Sequence, residues 1–158
     1  MKIGVMSDTH LTVPSDKLIE VIEGHFQDMD MIFHACDIVG EEVLKAFSGR
    51  DLRAVSGNMD SAALKDILPH KQVIEAGKFR VGLIHGAGAG ACIEDKLMGE
   101  FEDVDCIVYG HTHSPANHLV DGVLLFNPGA LVDRWYEKGG SVGILELNDT
   151  IKGTIIKL

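Results

Sequence analysis

The sequence is short of thiols, of basic charge and of long apolar runs, and each shortage closes a class of function. Its 158 residues contain three cysteines, Cys36, Cys92 and Cys106. The number is odd and no CxxC pair occurs, which speaks against a disulfide framework and against a thiolate zinc site. Free buried thiols in a reducing compartment are expected instead. Lys and Arg total 14 against 24 Asp and Glu, a net charge of −10. Such a surface repels polynucleotide phosphates, so no extended nucleic-acid groove is expected. A small, locally positive pocket remains compatible, because net charge does not describe a cleft. No run approaches the ~18 apolar residues of a membrane span. The opening MKIGVMSDTH is broken by Asp8 and His10 and does not read as a signal peptide. A cytoplasmic location without a membrane partner is expected. Linkers, repeats and low-complexity stretches are also missing. The length suits one domain over residues 1–158.

What is present is an ordinary globular composition, 46% apolar and 24% charged, with 18 glycines. Residues 2–6 read as a strand covered on both faces. Ser15-Asp16 caps a helix over KLIEVIEGHF, with Leu18, Ile19, Ile22 and Phe26 on one face. Strands follow at 31–35 and 52–56, separated by a helix from about Gly40-Glu41 that carries Val43, Leu44 and Phe47. This β-α-β-α-β order implies parallel strands. The second half reads mostly as β. It holds a hairpin turning at Gly77-Lys78, a helix over 93–101 and a short buried strand at 105–109. Two further hairpins turn at Asp121-Gly122 and near Asn148-Asp149.

Polar residues gather where these strands end. The ends read Ser7-Asp8-Thr9-His10, His34-Ala35-Cys36-Asp37, Gly57-Asn58-Met59-Asp60, His85-Gly86 and Gly110-His111-Thr112-His113. Ligands of α/β sheets sit beyond the carboxyl ends of strands. Asp8 and His10 are two residues apart, as are His111 and His113; in extended chain such pairs point the same way. Imidazole with carboxylate suits manganese, nickel, iron, zinc or cobalt. The seven candidates Asp8, His10, Asp37, Asn58, His85, His111 and His113 exceed one ion's needs. They fit two divalent ions sharing one carboxylate. Against about four metal charges, two aspartates leave roughly two positive charges, enough for a bridging hydroxide and a phosphate oxygen.

The ordered set SDTH, ACD, GNMD, HG and GHTH resembles the calcineurin-like metallophosphoesterases, above all their small single-domain bacterial and archaeal branch. The segment NPGA (Asn127 to Ala130) is similar to that branch's Asn-Pro-Gly-Ser. The resemblance implies an α/β fold, a four-layer α-β-β-α sandwich of two mixed sheets flanked by helices. It implies one ion on Asp8, His10 and His113, a second on Asn58, His85 and His111, and Asp37 bridging. Manganese is the first expectation for both ions. It further implies a phosphoesterase, a phosphodiesterase by preference, in which a metal-bridging hydroxide attacks a small phosphate ester and Asn58 also contacts the phosphate. Two positions depart from the family pattern. Cys36 stands where Gly usually precedes the aspartate. Met59 stands where much of the family has the histidine taken as general acid, and a thioether cannot donate a proton. General acid catalysis contributes roughly 10²–10⁴-fold, so esters with poor leaving groups are expected to suffer most.

Plainer readings compete with each motif. A lone DxH is commonly a capping aspartate beside a surface histidine; five strand ends acting together are harder to dismiss. His25, His70 and His118 have no companion in the sequence and are expected on the surface. His34 is expected to pack or to support ligands. Asp60 reads equally as a support or as a solvated carboxylate. Glu41, Glu42, Glu100, Glu102 and Asp103 read as solvated faces. Gly86-Ala87-Gly88-Ala89-Gly90-Ala91 fits a loose GxGxxA pattern with Asp105 about 20 residues on, an alternative dinucleotide site. Another alternative is a non-catalytic scaffold, as in the retromer subunit of this fold. Its sign would be an exposed apolar patch, for which Leu131, Val132 and Trp135 are candidates; the same residues would serve a homo-oligomer.

Overall fold

The computed structural model describes residues 1–88, 93–132 and 140–158. It contains two five-stranded sheets. The first is built from β1 (Lys2–Met6), β2 (Met31–His34), β3 (Leu52–Ala54), β9 (Ser141–Leu147) and β10 (Ile151–Lys157), in the order β10-β9-β1-β2-β3. The second is built from β4 (Lys71–Ala76), β5 (Phe79–Ile84), β6 (Cys106–Val108), β7 (Ala116–Val120) and β8 (Val123–Asn127), in the order β4-β5-β6-β8-β7. Both are mixed. β1, β2 and β3 are parallel, as are β5, β6 and β8; antiparallel strands form both edges of the second sheet and the β10 edge of the first, whose other edge is the parallel β3.

Alternation along the second sheet builds the layers. Val81, Leu83, Cys106, Val108, Leu124 and Phe126 join the main core between the sheets. Their neighbours Ile84, Ile107, Tyr109 and Leu125 face the other way and pack with Leu97 of α3 (Ile93–Met98). That is the period of two expected of strands buried on both faces. Over the first sheet, α1 (Asp16–Glu20) is capped by the Ser15 hydroxyl, which accepts from the Leu18 N–H. It continues as a π-helical turn over Val21–His25. Phe26, just beyond, packs its ring directly on Gly4 of β1, where a Cβ would stand 2.6 Å from the ring. The α-β-β-α sandwich is thus the observed architecture. Truncating a buried residue such as Leu18 to Ala costs roughly 2–5 kcal/mol by loss of packing and the cavity left behind.

Several local expectations differ in detail. Strand β3 stops at Ala54 rather than Ser56, and the helix after Gly40 is a 3₁₀ segment, Glu41–Phe47. Helix α2 (Ala62–Ile67), capped by Ser61, lies in a stretch whose apolar spacing is too sparse to mark it. The terminal hairpin β9-β10 does not complete a separate β half. It crosses back to pair antiparallel with β1, from Lys2 opposite Glu146 to Val5 opposite Gly143. Among the described residues, no helix is long and apolar enough to cross a membrane.

Candidate metal centre

Parallel strands put their carboxyl ends on one edge, and each sheet has three of them. The first sheet delivers Asp8 and His10 after β1, Asp37 after β2 and Asn58 after β3. The second delivers His85 after β5, and His111 and His113 after β6. The sheets meet at these loops. His85 Nδ1 donates to Ala35 O at 2.7 Å, and the Leu131 N–H donates to Ser7 O at 3.2 Å.

All seven candidates converge there. Asp8, His10 and His113 each offer a donor atom within 4.8 Å of the others, and Asp37, His85 and His111 do the same. In the first group Asp8 Oδ1 lies 3.2 Å from His113 Nε2 and 3.8 Å from His10 Nε2. The two imidazole Nε2 atoms are 3.2 Å apart. In the second, His85 Nε2 is 3.3 Å from Asp37 Oδ2, and the His85 and His111 rings stand edge-on at 5.1 Å. Asn58 Oδ1 lies 3.0 Å from His85 Nε2, which places the seventh candidate beside this group. Residues His10, Asp37, Asn58, Met59, His111, His113 and Val132 line one cavity of about 350 Å³.

The reason the paired residues converge is not the one their spacing suggested. Asp8 and His10 are not extended: their φ angles are +52° and +49°. His111 and His113, at +66° and +57°, are left-handed too, as are Cys36 and Asp37 at +55° and +56°. Each such non-glycine residue costs on the order of 1–3 kcal/mol and persists only where the surroundings over-determine it. Here the determinants are visible. The loops after β1 and β2 are stitched by Asp8 N–H to Cys36 O (2.8 Å), His10 N–H to Asp37 O (3.0 Å) and Leu11 N–H to Ile38 O (2.8 Å). Asp8 Oδ2 accepts from the Ser7 hydroxyl at 2.6 Å and from the His111 N–H at 3.0 Å, tying the two pairs together.

Glycines admit both aspartates at close quarters. A Cβ on Gly57 would collide with Asp37 Oδ1, and one on Gly110 with the Ser7 hydroxyl and Asp8 Oδ2. Asp60 is a buried support, not a solvated carboxylate: its oxygens accept from the Val39 N–H at 2.8 Å and the Gly57 N–H at 2.7 Å. Asn127, quoted in sequence only for its motif, clamps the histidine loop. Its Nδ2 donates to Gly110 O and Thr112 Oγ1, both at 3.0 Å, while its Oδ1 accepts from the Gly129 N–H. A buried Asn at a strand end is the signal that identifies it. His25 and His70 are exposed as expected. His118 is exposed but partnered, with Nε2 3.0 Å from Glu94 Oε2; Glu94 Oε1 accepts from the Tyr109 hydroxyl.

The electrostatics favour a cation. Burial pulls His10 and His111 below the ordinary histidine value, toward the neutral form that ligates. At His85 burial works the same way, but the hydrogen bond and charge of Asp37 override it and raise the value. Reciprocally, burial resists ionisation of Asp37, and the His85 contact outweighs that and lowers its value. Asp8 Oδ1 is buried and makes no hydrogen bond. A buried carboxylate oxygen without a donor is costly, and facing two imidazole nitrogens it is a natural ligand atom. His85 donates its Nδ1 proton to a carbonyl, the usual outer contact of a ligating histidine, and turns Nε2 toward Asp37 Oδ2 and Asn58 Oδ1. The residues therefore fit divalent metal.

The sequence model of the calcineurin-like phosphoesterase superfamily domain matches residues 1–150. The chain belongs to this superfamily. A probable metallophosphoesterase of Methanocaldococcus jannaschii is 35% identical over 136 residues, covering 82% of this chain and 68% of that protein. A phosphodiesterase of the same archaeon is 31% identical over 143 residues, covering 82% and 83%. Among solved structures, an archaeal phosphodiesterase superimposes with a TM-score of 0.75 at 27% identity over the full length of both chains. Vps29 from Entamoeba histolytica, solved with zinc, reaches 0.73 at 23% identity over 99% of each, a likeness of fold.

The dinucleotide alternative fares poorly in this fold. Ala89, Gly90, Ala91 and Cys92 lie outside the described residues, but Gly86 follows the carboxyl end of β5 whereas Asp105 precedes β6. Since β5 and β6 are parallel, the two sit at opposite ends of the sheet, and Asp105 Oδ2 accepts from the Arg80 N–H. Of the candidate apolar patch, Leu131 is buried in the core, Val132 lines the metal-site cavity and Trp135 lies outside the described residues.

Proposed function

We propose that this chain is a dinuclear metal-dependent phosphoesterase acting on phosphodiesters with good leaving groups. The observation that carries the reading is the pair of oxygen and nitrogen donor groups opening on one cavity, with Asp8 Oδ1 buried and unsatisfied between two imidazoles. Asp8, His10 and His113 would hold one ion, and Asn58, His85 and His111 the other. Asp37, stitched to the loop that carries His10, would contact both. Manganese remains the first choice; zinc, present in the Vps29 neighbour, joins nickel, iron and cobalt as alternatives. Ions bound there supply Lewis-acid polarisation of the phosphoryl group and activation of water at neutral pH.

The chain's own groups do the rest. Asn58 lines the cavity and can turn its amide N–H toward a phosphate oxygen. Met59 stands at the rim, 57% exposed, and presents a thioether where an acid would protonate the departing alcohol. Its backbone N–H is instead spent on Asp37 Oδ1 at 2.7 Å. Without that proton, departure depends on the alcohol's own acidity, which is the physical reason to favour activated diesters.

A non-catalytic scaffold is the second reading, supported by the Vps29 likeness; the complete donor set favours the enzyme. Elemental analysis of the purified protein, followed by a panel of aryl mono- and diesters with manganese or nickel returned, separates the two. Two equivalents of metal and diester turnover are expected. A strong monoester preference would remove the diester assignment, and metal-replete protein inert toward every ester would favour the scaffold.

A further inference from the structure

His34 is completely buried yet belongs to neither donor group. It is the last residue of β2. Its Nδ1 lies 3.0 Å from the Cys36 N–H and its Nε2 lies 3.4 Å from Thr9 Oγ1. A backbone N–H can only donate, so Nδ1 accepts and carries no proton. The single ring proton of the neutral imidazole therefore sits on Nε2 and points to the Thr9 hydroxyl. The edge of the ring meets Phe47 at 6.2 Å between centroids and 83° between planes, which fixes its orientation. Burial holds His34 in that neutral form, with its value lowered to about 4.

The two partners are not arbitrary. Thr9, itself buried, lies between Asp8 and His10, and Cys36 immediately precedes Asp37. One ring thus touches both loops that arrive from the first sheet, at the residues flanked by or adopting positive φ. We infer that His34 is a positioning residue: its neutral imidazole bridges the Thr9 hydroxyl and the Cys36 N–H, locking the two loops in the backbone conformation that aims Asp8, His10 and Asp37 into the centre. The inference rests on the metal-binding reading above.

The test is calorimetric titration of Mn²⁺ alone into metal-stripped full-length chain, with the Mn²⁺ EPR spectrum of the loaded protein. Four variants are compared. His34→Phe keeps the ring volume and removes both hydrogen bonds. Thr9→Val removes only the acceptor, and Thr9→Ser restores it. Val81→Ala, in the core at the other end of β5, is the control for stability loss alone. His34→Phe and Thr9→Val are expected to bind Mn²⁺ about 10–100-fold more weakly, the range for lost supports of metal ligands, with an altered EPR spectrum. Thr9→Ser should bind as the unsubstituted chain does, and Val81→Ala should melt earlier in metal-free form with unchanged affinity. If His34→Phe does not fold, Thr9→Val decides. Unchanged affinity and spectrum in Thr9→Val would overturn the inference, as would an equal loss in Val81→Ala. An unsubstituted chain that takes up no Mn²⁺ would instead overturn the metal-binding reading itself.

Discussion

Replacing Asp37 by Asn tests the centre through stability as well as turnover. Its carboxylate is buried, with Oδ1 fixed by the Met59 N–H and Oδ2 3.3 Å from His85 Nε2. An asparagine fills the same space and can still accept from Met59, so metal-free folding should change modestly. Metal linkage should change greatly. Ligand present at a thousandfold excess over its Kd stabilises the folded state by about 4 kcal/mol for one site. For a chain of this size each kcal/mol moves the melting temperature by about 2–4 °C. Saturating Mn²⁺ should therefore raise the melting temperature of the unsubstituted chain by about 8–16 °C over its value in EDTA. If the Asn variant's Kd rises a thousandfold, the same Mn²⁺ concentration stabilises it by only about 0.4 kcal/mol, a shift of about 1–2 °C. Differential scanning calorimetry with and without EDTA reads both numbers, and diester turnover should vanish in parallel. An Asn variant that kept the full thermal shift, or full turnover, would refute the placement of Asp37 between two ions.

Three further outcomes are expected. Met59→His, at an exposed rim position with little packing to lose, should improve cleavage of esters with poor leaving groups by up to roughly 10²–10⁴-fold while changing activated aryl diesters far less; kcat against leaving-group pKa measures it. Gly57→Ala forces a Cβ against Asp37 and should weaken Mn²⁺ binding by at least about tenfold in a protein that still folds, read by calorimetric titration. His34 should make the metal-free protein acid-labile. Its folded-state value lies below its unfolded value of 6.5, so its contribution is complete above that value and is lost as pH falls toward about 4. The loss amounts to about 3 kcal/mol over that window. Urea unfolding at stepped pH should show a steeper slope in the unsubstituted chain than in His34→Gln, where only the smaller contributions of His10 and His111 remain.

The strand ends were legible because chemistry and topology coincide there. Five apolar segments each run into Asp, Asn or His, and parallel pairing leaves those ends on common edges. The hairpins were legible from their turn residues, as at Asp121-Gly122. The misses have physical causes. Helix α2 buries one residue, Leu64, so its pattern carries almost no signal. The pairing of β9 with β1 joins residues some 140 positions apart, and no local propensity encodes it. His118 appeared companionless because Glu94 reaches it from another element.

The donor pairs show where spacing alone misleads. Two residues apart in an extended strand, Asp8 and His10 would point the same way with no strain. The fold achieves convergence differently, through left-handed turns whose cost is met by hydrogen bonds to the Cys36 and Asp37 carbonyls and from the His111 N–H and the Ser7 hydroxyl. Several of those partners are themselves in, or next to, the other loops. No single loop can then hold its geometry alone, and the centre forms as one cooperative unit or not at all. This is why substitutions at residues that are not themselves ligands, Gly57, Thr9 and His34, are expected to move metal affinity.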